Sequence, residues 1–74
     1  MKTYEIRAGY ESNVWDTKAA TLEEAREKAK GYITELNQHG PLGQSGSYTI
    51  EEYTNGELSF VVDGGLQRGK WWEV

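Results

Sequence analysis

The chain has 74 residues, no cysteine and a formal net charge of −4. That length fits one domain, residues 1–74, and leaves no room for a second core or a deep enclosed pocket. The composition excludes disulfides and thiolate chemistry, opposes bulk attraction to nucleic acid or anionic lipid, and contains no apolar run long enough to span a membrane.

Two strands are predicted before the helix. Residues Lys2–Tyr10 alternate strictly between two sets of side chains, which is typical of a half-buried strand. Residues 14–19 form the second strand, with Trp15, Thr17 and Ala19 on one face. The polar residues between the two runs predict a turn.

One helix is predicted from Thr21 to about Asn37. Residues 21–24, TLEE, match a capping box, in which the Thr21 hydroxyl accepts a hydrogen bond from the Glu24 amide. Gly31 lies within the helix and indicates either a close contact or a weak point. The apolar positions that recur at helical spacing are Leu22, Ala25, Ala29, Ile33 and Leu36.

A β-hairpin is predicted around Asn55-Gly56, a strong turn signal between two runs rich in β-branched and aromatic residues. A two-residue loop would pair Ile50 with Val61 and scatter apolar side chains over both faces. A three-residue loop, residues 54–56, pairs Ile50 with Phe60, and we favour it because a buried face enforces register. The apolar face then comprises Tyr48, Ile50, Leu58, Phe60 and Val62, and the opposite face includes Glu51, Tyr53 and Val61.

The remaining segments complete the predicted fold. Residues 40–47, GPLGQSGS, indicate a loose connection between the helix and the hairpin. Gly64-Gly65 and Gly69 are expected to bound a second turn, after which residues 70–74 form a short closing strand. The predicted order is ββαβββ. This order of elements is typical of an α+β domain, in which one α-helix packs on one face of an antiparallel sheet of four or five strands.

The sequence offers few groups for catalysis. His39 is the only histidine, and no activating neighbour is evident beside it. Glu51 and Glu52 are adjacent on a strand, so they point to opposite faces and do not act together. One histidine without cysteine does not make a usual zinc site. We therefore expect no enzymatic activity, no metal and no cofactor.

The sheet face that the helix leaves uncovered is the predicted functional surface. Trp71 and Trp72 are adjacent on a strand and must point oppositely, so Trp72 is assigned to the core with Val74 and Trp71 to the outside. Tyrosine and tryptophan dominate interface hot spots. Alternatively, the aromatic side chains complete a small core or cover each other. The predicted protein-binding residues are Trp15, Glu51, Tyr53, Val61, Arg68, Lys70 and Trp71.

The order of the elements and three segments, TLEEA, TIEEYTNGELSFVVDG and GKWWEV, resemble small anti-CRISPR proteins of phages that inhibit type I interference complexes. The resemblance spans residues 19–74. It implies action by binding an effector protein, without catalysis. Several of those inhibitors engage their targets through basic residues, whereas this chain is acidic, so the resemblance assigns no role to any residue.

These observations predict a small non-catalytic protein-binding domain. We expect a phage or mobile-element accessory protein that inhibits a host defence or nucleic-acid-processing factor by stoichiometric binding. The polar N-terminus is unlike a signal peptide, and the expected location is the host cytoplasm. One alternative is a structural or self-associating module, a homodimer through the open sheet face. Another is a single-stranded nucleic-acid binder, for which the two cations in residues 68–72 are a weak signal. A further option is that the acidic side chains mimic nucleic-acid phosphates.

Overall fold

The computed structural model describes residues 1–10, 13–39 and 45–74. The elements in these ranges are β1 (Lys2–Tyr10), β2 (Asn13–Ala19), α1 (Leu22–His39), β3 (Gly46–Thr54), β4 (Glu57–Gln67) and β5 (Lys70–Glu73). All five strands join one antiparallel sheet in the order β2-β1-β3-β4-β5. The predicted ββαβββ order and the α+β class are confirmed.

The helix covers one face of the sheet, over β1, β2 and β3. Ala25 and Ala29 are completely buried, and their small side chains let the helix approach the strands closely. Ile33 continues the same stripe and is also completely buried, while Leu22 and Leu36 lie half-buried at its ends. The predicted apolar stripe is confirmed. The buried apolar residues are Tyr4, Ile6, Ala8, Ala19, Ala25, Ala29, Ile33, Tyr48, Ile50 and Val62.

Both ends of the helix are fixed by side chains. At the start, the Glu24 amide donates to the Thr21 hydroxyl at 3.1 Å, as the capping sequence predicts. Near the end, Asn37 bridges to the residue before β3: its Oδ1 accepts from the Ser45 amide at 3.1 Å and its Nδ2 donates to the Ser45 carbonyl at 3.2 Å. The helix ends at His39, two residues beyond the predicted end. In the predicted loose connection, residues 40–44 lie outside the described residues, and Gly46-Ser47 already belongs to β3.

Gly31 lies on the exposed side of the helix, and a Cβ added there would meet nothing within 4 Å. Of the two interpretations, the structure therefore supports a weak point. We expect Gly31→Ala to raise the free energy of unfolding by about 0.5–1 kcal/mol, because alanine loses less backbone entropy in a helix. Urea denaturation of the two proteins measures the difference, and an unchanged or lowered midpoint would contradict the expectation.

The β3–β4 hairpin closes with a two-residue turn, so the predicted three-residue loop is wrong. Asn55 and Gly56 both have positive φ, 51° and 87°, as the type I′ turn requires. Further along, the register shifts by one residue at a bulge, where Ser59 is the extra residue of β4. Beyond the bulge Ile50 pairs with Val62, which returns the apolar side chains of both strands to the helix side.

The bulge decides which apolar side chains of β4 reach the core. Leu58 pairs with Tyr53 before the bulge and points away from the helix, whereas Phe60 pairs with Glu52 after it and lies on the helix side. Both Leu58 and Phe60 are exposed, because the helix lies over β1, β2 and β3 rather than over β4. The predicted shared face is confirmed for Tyr48, Ile50, Phe60 and Val62, although Phe60 is not buried there, and it is wrong for Leu58.

Gly64 and Gly65 lie inside β4 rather than in a turn, which corrects the prediction. A Cβ on Gly64 would lie 2.4 Å from Cζ of Tyr48, and one on Gly65 would lie 2.4 Å from the carbonyl oxygen of Gly46. Glycine is needed at both positions because neighbouring atoms already occupy the space of a side chain. The turn itself is Arg68-Gly69, with φ of 51° and 78°, and it leads directly into β5.

One carboxylate fixes β5 to the helix. Glu73 accepts hydrogen bonds from Nε and Nη2 of Arg26 at 2.9 and 2.6 Å, and from the Tyr48 hydroxyl at 2.8 Å. The hydrogen-bonded guanidinium of Arg26 holds the pKa of Glu73 below its usual value. The closing strand is therefore held by a charged pair as well as by its ladder with β4.

Tyr48 gives the fold a dependence on high pH. Burial, and then the hydrogen bond to Glu73, raise the pKa of the Tyr48 phenol from 10.0 to about 12. Because the folded pKa is the higher one, this stabilisation is fully present below pH 10 and is lost as the pH rises toward 12. We expect the free energy of unfolding to fall across that range, and to fall less steeply in Tyr48→Phe. Denaturation at a series of alkaline pH values measures both slopes, and equal slopes would count against the assignment.

Candidate functional site

β5 covers only part of the outer edge of β4. It pairs with residues 64–67, and beyond the ladder the Val74 amide donates to the Asp63 carbonyl at 2.8 Å. On this side of β4, residues 57–62 pair with no strand in the described part of the chain. The first half of β4 therefore presents a free sheet edge.

Four apolar side chains surround this free edge. Leu58, Phe60 and Val61 are 53%, 51% and 43% exposed, and Tyr53, which pairs with Leu58, is half-buried. We call these four residues the apolar edge. Phe60 lies on the helix side, while the other three lie on the opposite side, the open face. A partner at this edge would meet apolar side chains on both faces of the sheet.

Carboxylates lie around the apolar edge. Glu51 is opposite Val61 in the β3–β4 ladder, and Glu5 is opposite Glu51 in the β1–β3 ladder. Glu57 precedes the free segment and Asp63 follows it. Cationic side chains of β1 and β2 lie beside Glu5 and Glu51, so these two carboxylates are partly neutralised within the chain.

Glu52, on the helix side, is committed to the structure of the hairpin. It accepts hydrogen bonds from the Tyr4 hydroxyl and the Ser59 hydroxyl, each at 2.9 Å, and lies 3.6 Å from Nζ of Lys2. The hydrogen bond from Tyr4 is the main cause that lowers the pKa of Glu52, and the one from Ser59 adds to it. These contacts hold the bulge in place.

The centre of the open face is polar. Nε of Arg7 donates to Asp16 at 3.1 Å, and the Thr49 hydroxyl donates to Asp63 at 3.0 Å. A depression of about 290 Å³ in this region is lined mainly by charged residues. The open face therefore does not carry one continuous aromatic patch, because charged and polar side chains occupy its centre.

A second exposed cluster lies at the far end of β4. Trp71 pairs with Leu66 on the helix side, where Nζ of Lys30 lies 5.4 Å from its ring centroid, a cation–π geometry. Trp72 pairs with Gly65 and lies on the open face. The two indoles are 39% and 41% exposed. We call this cluster the tryptophan end, and it comprises Lys30, Arg68, Lys70, Trp71 and Trp72.

The orientations predicted for the two tryptophans are reversed. Trp71, assigned to the outside, lies on the helix side beside Lys30. Trp72, assigned to the core with Val74, lies on the open face, and Val74 is exposed. The error follows from Gly64-Gly65: because these glycines continue β4, the turn falls four residues later and sets the register of β5.

The predicted protein-binding residues do not form one surface. At the apolar edge or beside it lie Glu51, Tyr53 and Val61. At the tryptophan end lie Arg68, Lys70 and Trp71. The two groups are at opposite ends of an 11-residue strand. Trp15 belongs to neither group, because it stacks on Tyr32 of the helix with ring centroids 5.0 Å apart and an interplanar angle of 14°.

Leu58, Phe60, Trp72 and Lys30 are surface residues that the sequence pattern missed. A helix about 10 Å wide covers roughly two to three strands that are about 4.8 Å apart. One helix therefore does not cover a whole five-stranded sheet, and here it lies over β2, β1 and β3 and leaves β4 largely uncovered. Comparing the number of strands with the width of one helix would have predicted that part of the apolar face of the sheet is exposed.

The described residues include no group of three or more His, Cys, Asp or Glu side chains placed to hold a metal ion. The sequence predicted no catalytic role for His39, and the side chain of this residue lies outside what the structure describes. Among the described helical residues there is no segment long and apolar enough to cross a membrane. The arrangement thus offers apolar contact area with carboxylates around it, and a second area where cations and indoles meet.

The chain matches no protein-family model, no curated protein and no solved structure.

Proposed function

We propose that this chain is a protein-binding domain that acts stoichiometrically and uses the apolar edge as its contact surface. The observation that carries the proposal is the exposure of Leu58, Phe60 and Val61 on a strand segment that no described strand covers. Natural sheets commonly protect free edges with lysine or proline, and residues 57–62, ELSFVV, contain neither. Large apolar side chains within a polar rim are typical of the centres of protein interfaces.

The role we propose is inhibition of a host defence or nucleic-acid-processing factor by a phage or mobile-element accessory protein in the host cytoplasm. The resemblance of residues 19–74 to small anti-CRISPR proteins supports this role. The carboxylates of Glu51 and Glu57 near the apolar edge support it as well. A factor that handles nucleic acid presents cations to phosphate, and those cations complement an acidic rim around an apolar contact.

Capture from a bacterial lysate, followed by titration of the purified partner, tests the proposal. We expect a saturable complex with one copy of the chain per partner site, and a free chain that sediments as a monomer. Absence of any saturable protein partner would contradict the proposal. A free chain whose sedimentation shows a doubled mass would favour the self-associating module instead.

Single-stranded nucleic-acid binding at the tryptophan end is the second candidate function. It is favoured by the exposed indoles of Trp71 and Trp72, which lie close to Lys30, Arg68 and Lys70. Stacking of bases on aromatic rings between cations is the usual mode of such binders. The net charge of −4 opposes it. Titration with oligonucleotides at low salt distinguishes the candidates, and we expect no change in tryptophan fluorescence.

A further inference from the structure

The backbone of β4 directs hydrogen-bonding groups outward at the apolar edge. The Asp63 carbonyl accepts from the Val74 amide at 2.8 Å, so it points away from β3. Backbone groups of alternate residues in an antiparallel strand point to the same side. The N–H and C=O of Val61 therefore also point outward, just beyond the last contact of β4 with the C-terminal segment.

The β4 edge differs from the other edge of the sheet. On β2, the exposed side chains of the open face include Asp16 and Lys18, and charged side chains discourage the addition of a further strand. On β4, the positions next to the outward backbone groups are Phe60, Val61 and Val62, none of which is charged. The Ser59 bulge interrupts the edge on one side, so the available stretch is short.

The charges around this stretch select the kind of strand that fits. A second copy of the chain would add another net charge of −4. In an antiparallel arrangement centred near Phe60, it would also bring Glu57 of one copy close to Asp63 of the other. Like charges in that position are destabilising. A strand with lysine or arginine side chains would instead place cations beside Glu57 and Asp63, where opposite charges attract.

We infer that the free edge of β4 accepts an extended basic segment of a partner protein as an added strand. This inference rests on the proposed protein-binding function and specifies its mode. The outward backbone groups of Val61 hydrogen-bond to the added strand, its apolar side chains contact Phe60 on one face and Val61 on the other, and its cations face the carboxylates. Strand addition of this kind gains affinity from main-chain hydrogen bonds and specificity from alternate side chains.

The test uses a short synthetic peptide in which lysine and valine alternate, with both ends blocked. Two control peptides distinguish backbone hydrogen bonding from charge attraction as the cause of protection. One has every backbone amide methylated, which keeps its cationic side chains and removes its N–H donors, and the other replaces lysine with glutamate. Amide hydrogen exchange is followed by nuclear magnetic resonance. We expect the lysine–valine peptide to slow exchange at Val61 by about tenfold, equivalent to about 1.4 kcal/mol, and neither control peptide to slow it.

Two variants test the same contact from the side of the protein. Val61→Pro removes the outward N–H, which proline tolerates on a sheet edge, and should weaken peptide binding by about tenfold. Val14→Ser, on the opposite edge strand β2, leaves this contact intact and should bind the peptide within about threefold of the original chain. If Val61→Pro does not fold, the methylated peptide still decides the outcome.

Three results would overturn the inference. The first is equal protection at Val61 by the methylated peptide, and the second is protection at β2 instead of β4. The third is a doubled mass of the free chain in sedimentation together with slowed exchange at Val61 in the absence of peptide, which would place a second copy on the edge. With either of the first two results, a partner captured from lysate would still support the proposed function. Failure of the strand-addition inference is therefore distinguishable from failure of the protein-binding function.

Discussion

Replacing Gly64 with alanine is expected to lower the free energy of unfolding by about 2–3 kcal/mol. The added Cβ would lie 2.4 Å from both Cζ and Oη of Tyr48, and 2.8 Å from the backbone oxygen of Trp72. Tyr48 is only 2% exposed, so its ring has little space into which to retreat. A domain of this size is stabilised by only about 3–5 kcal/mol, so most of its stability would be lost. Denaturation in urea measures the change.

Two comparisons separate the clash from a general intolerance of alanine. Gly31→Ala makes the same chemical change where a Cβ meets nothing within 4 Å, and it should stabilise the protein. Gly64→Ala in a Tyr48→Leu background should cost much less than in the original chain, because the phenol is gone. A loss from Gly64→Ala that is as large in both backgrounds would show that the ring of Tyr48 is not the cause.

Replacing both Leu58 and Phe60 with serine is expected to weaken partner binding by about 30-fold or more. Truncation of a buried hot spot typically costs about 2 kcal/mol or more, which corresponds to that factor. Both side chains are about half exposed in the free chain, so we expect the fold to tolerate the change, with thermal denaturation as the check. Calorimetric titration of the captured partner measures the affinity.

Val14→Ser provides the matched control, because Val14 lies on the opposite edge strand and is 53% exposed, the same fraction as Leu58. We expect its affinity for the partner to equal that of the original chain within about threefold. If Val14→Ser weakens binding as much as the Leu58 and Phe60 double variant does, the contact surface is not confined to the apolar edge.

The strands, the helix and its cap were predictable because each depends on neighbouring residues. The alternation of Tyr4, Ile6 and Ala8 gives β1 its buried face, and the Thr21–Glu24 spacing gives the helix its first hydrogen bond. The apolar stripe of the helix from Leu22 to Leu36 could be predicted for the same reason. The α+β class follows from the order of these elements, so the fold could be predicted in outline.

The candidate site could not be predicted in detail, because its position depends on contacts between distant residues. Ser59 becomes a bulge through its hydroxyl, which lies within hydrogen-bonding distance of the Glu52 carboxylate and of Thr54. Neither partner is apparent from an apolar pattern that favours a longer loop. Likewise, the Gly64-Gly65 pair predicts a turn as long as the ring of Tyr48, which lies over Gly64, is not known. The bulge at Ser59 and the continuation of β4 through Gly64 determine on which face of the sheet Leu58, Trp71 and Trp72 lie.

The position of β1 inside the sheet, between β2 and β3, shapes the route by which the chain folds. The last three strands follow one another through two-residue turns, so their pairing is local in sequence. β1 instead meets β3 across a long interval, since Ile6 pairs with Ile50. Closing an interval of that length costs chain entropy before any contact is gained. We expect the meander of β3, β4 and β5 to assemble first, and the docking of β1 against it to set the folding rate.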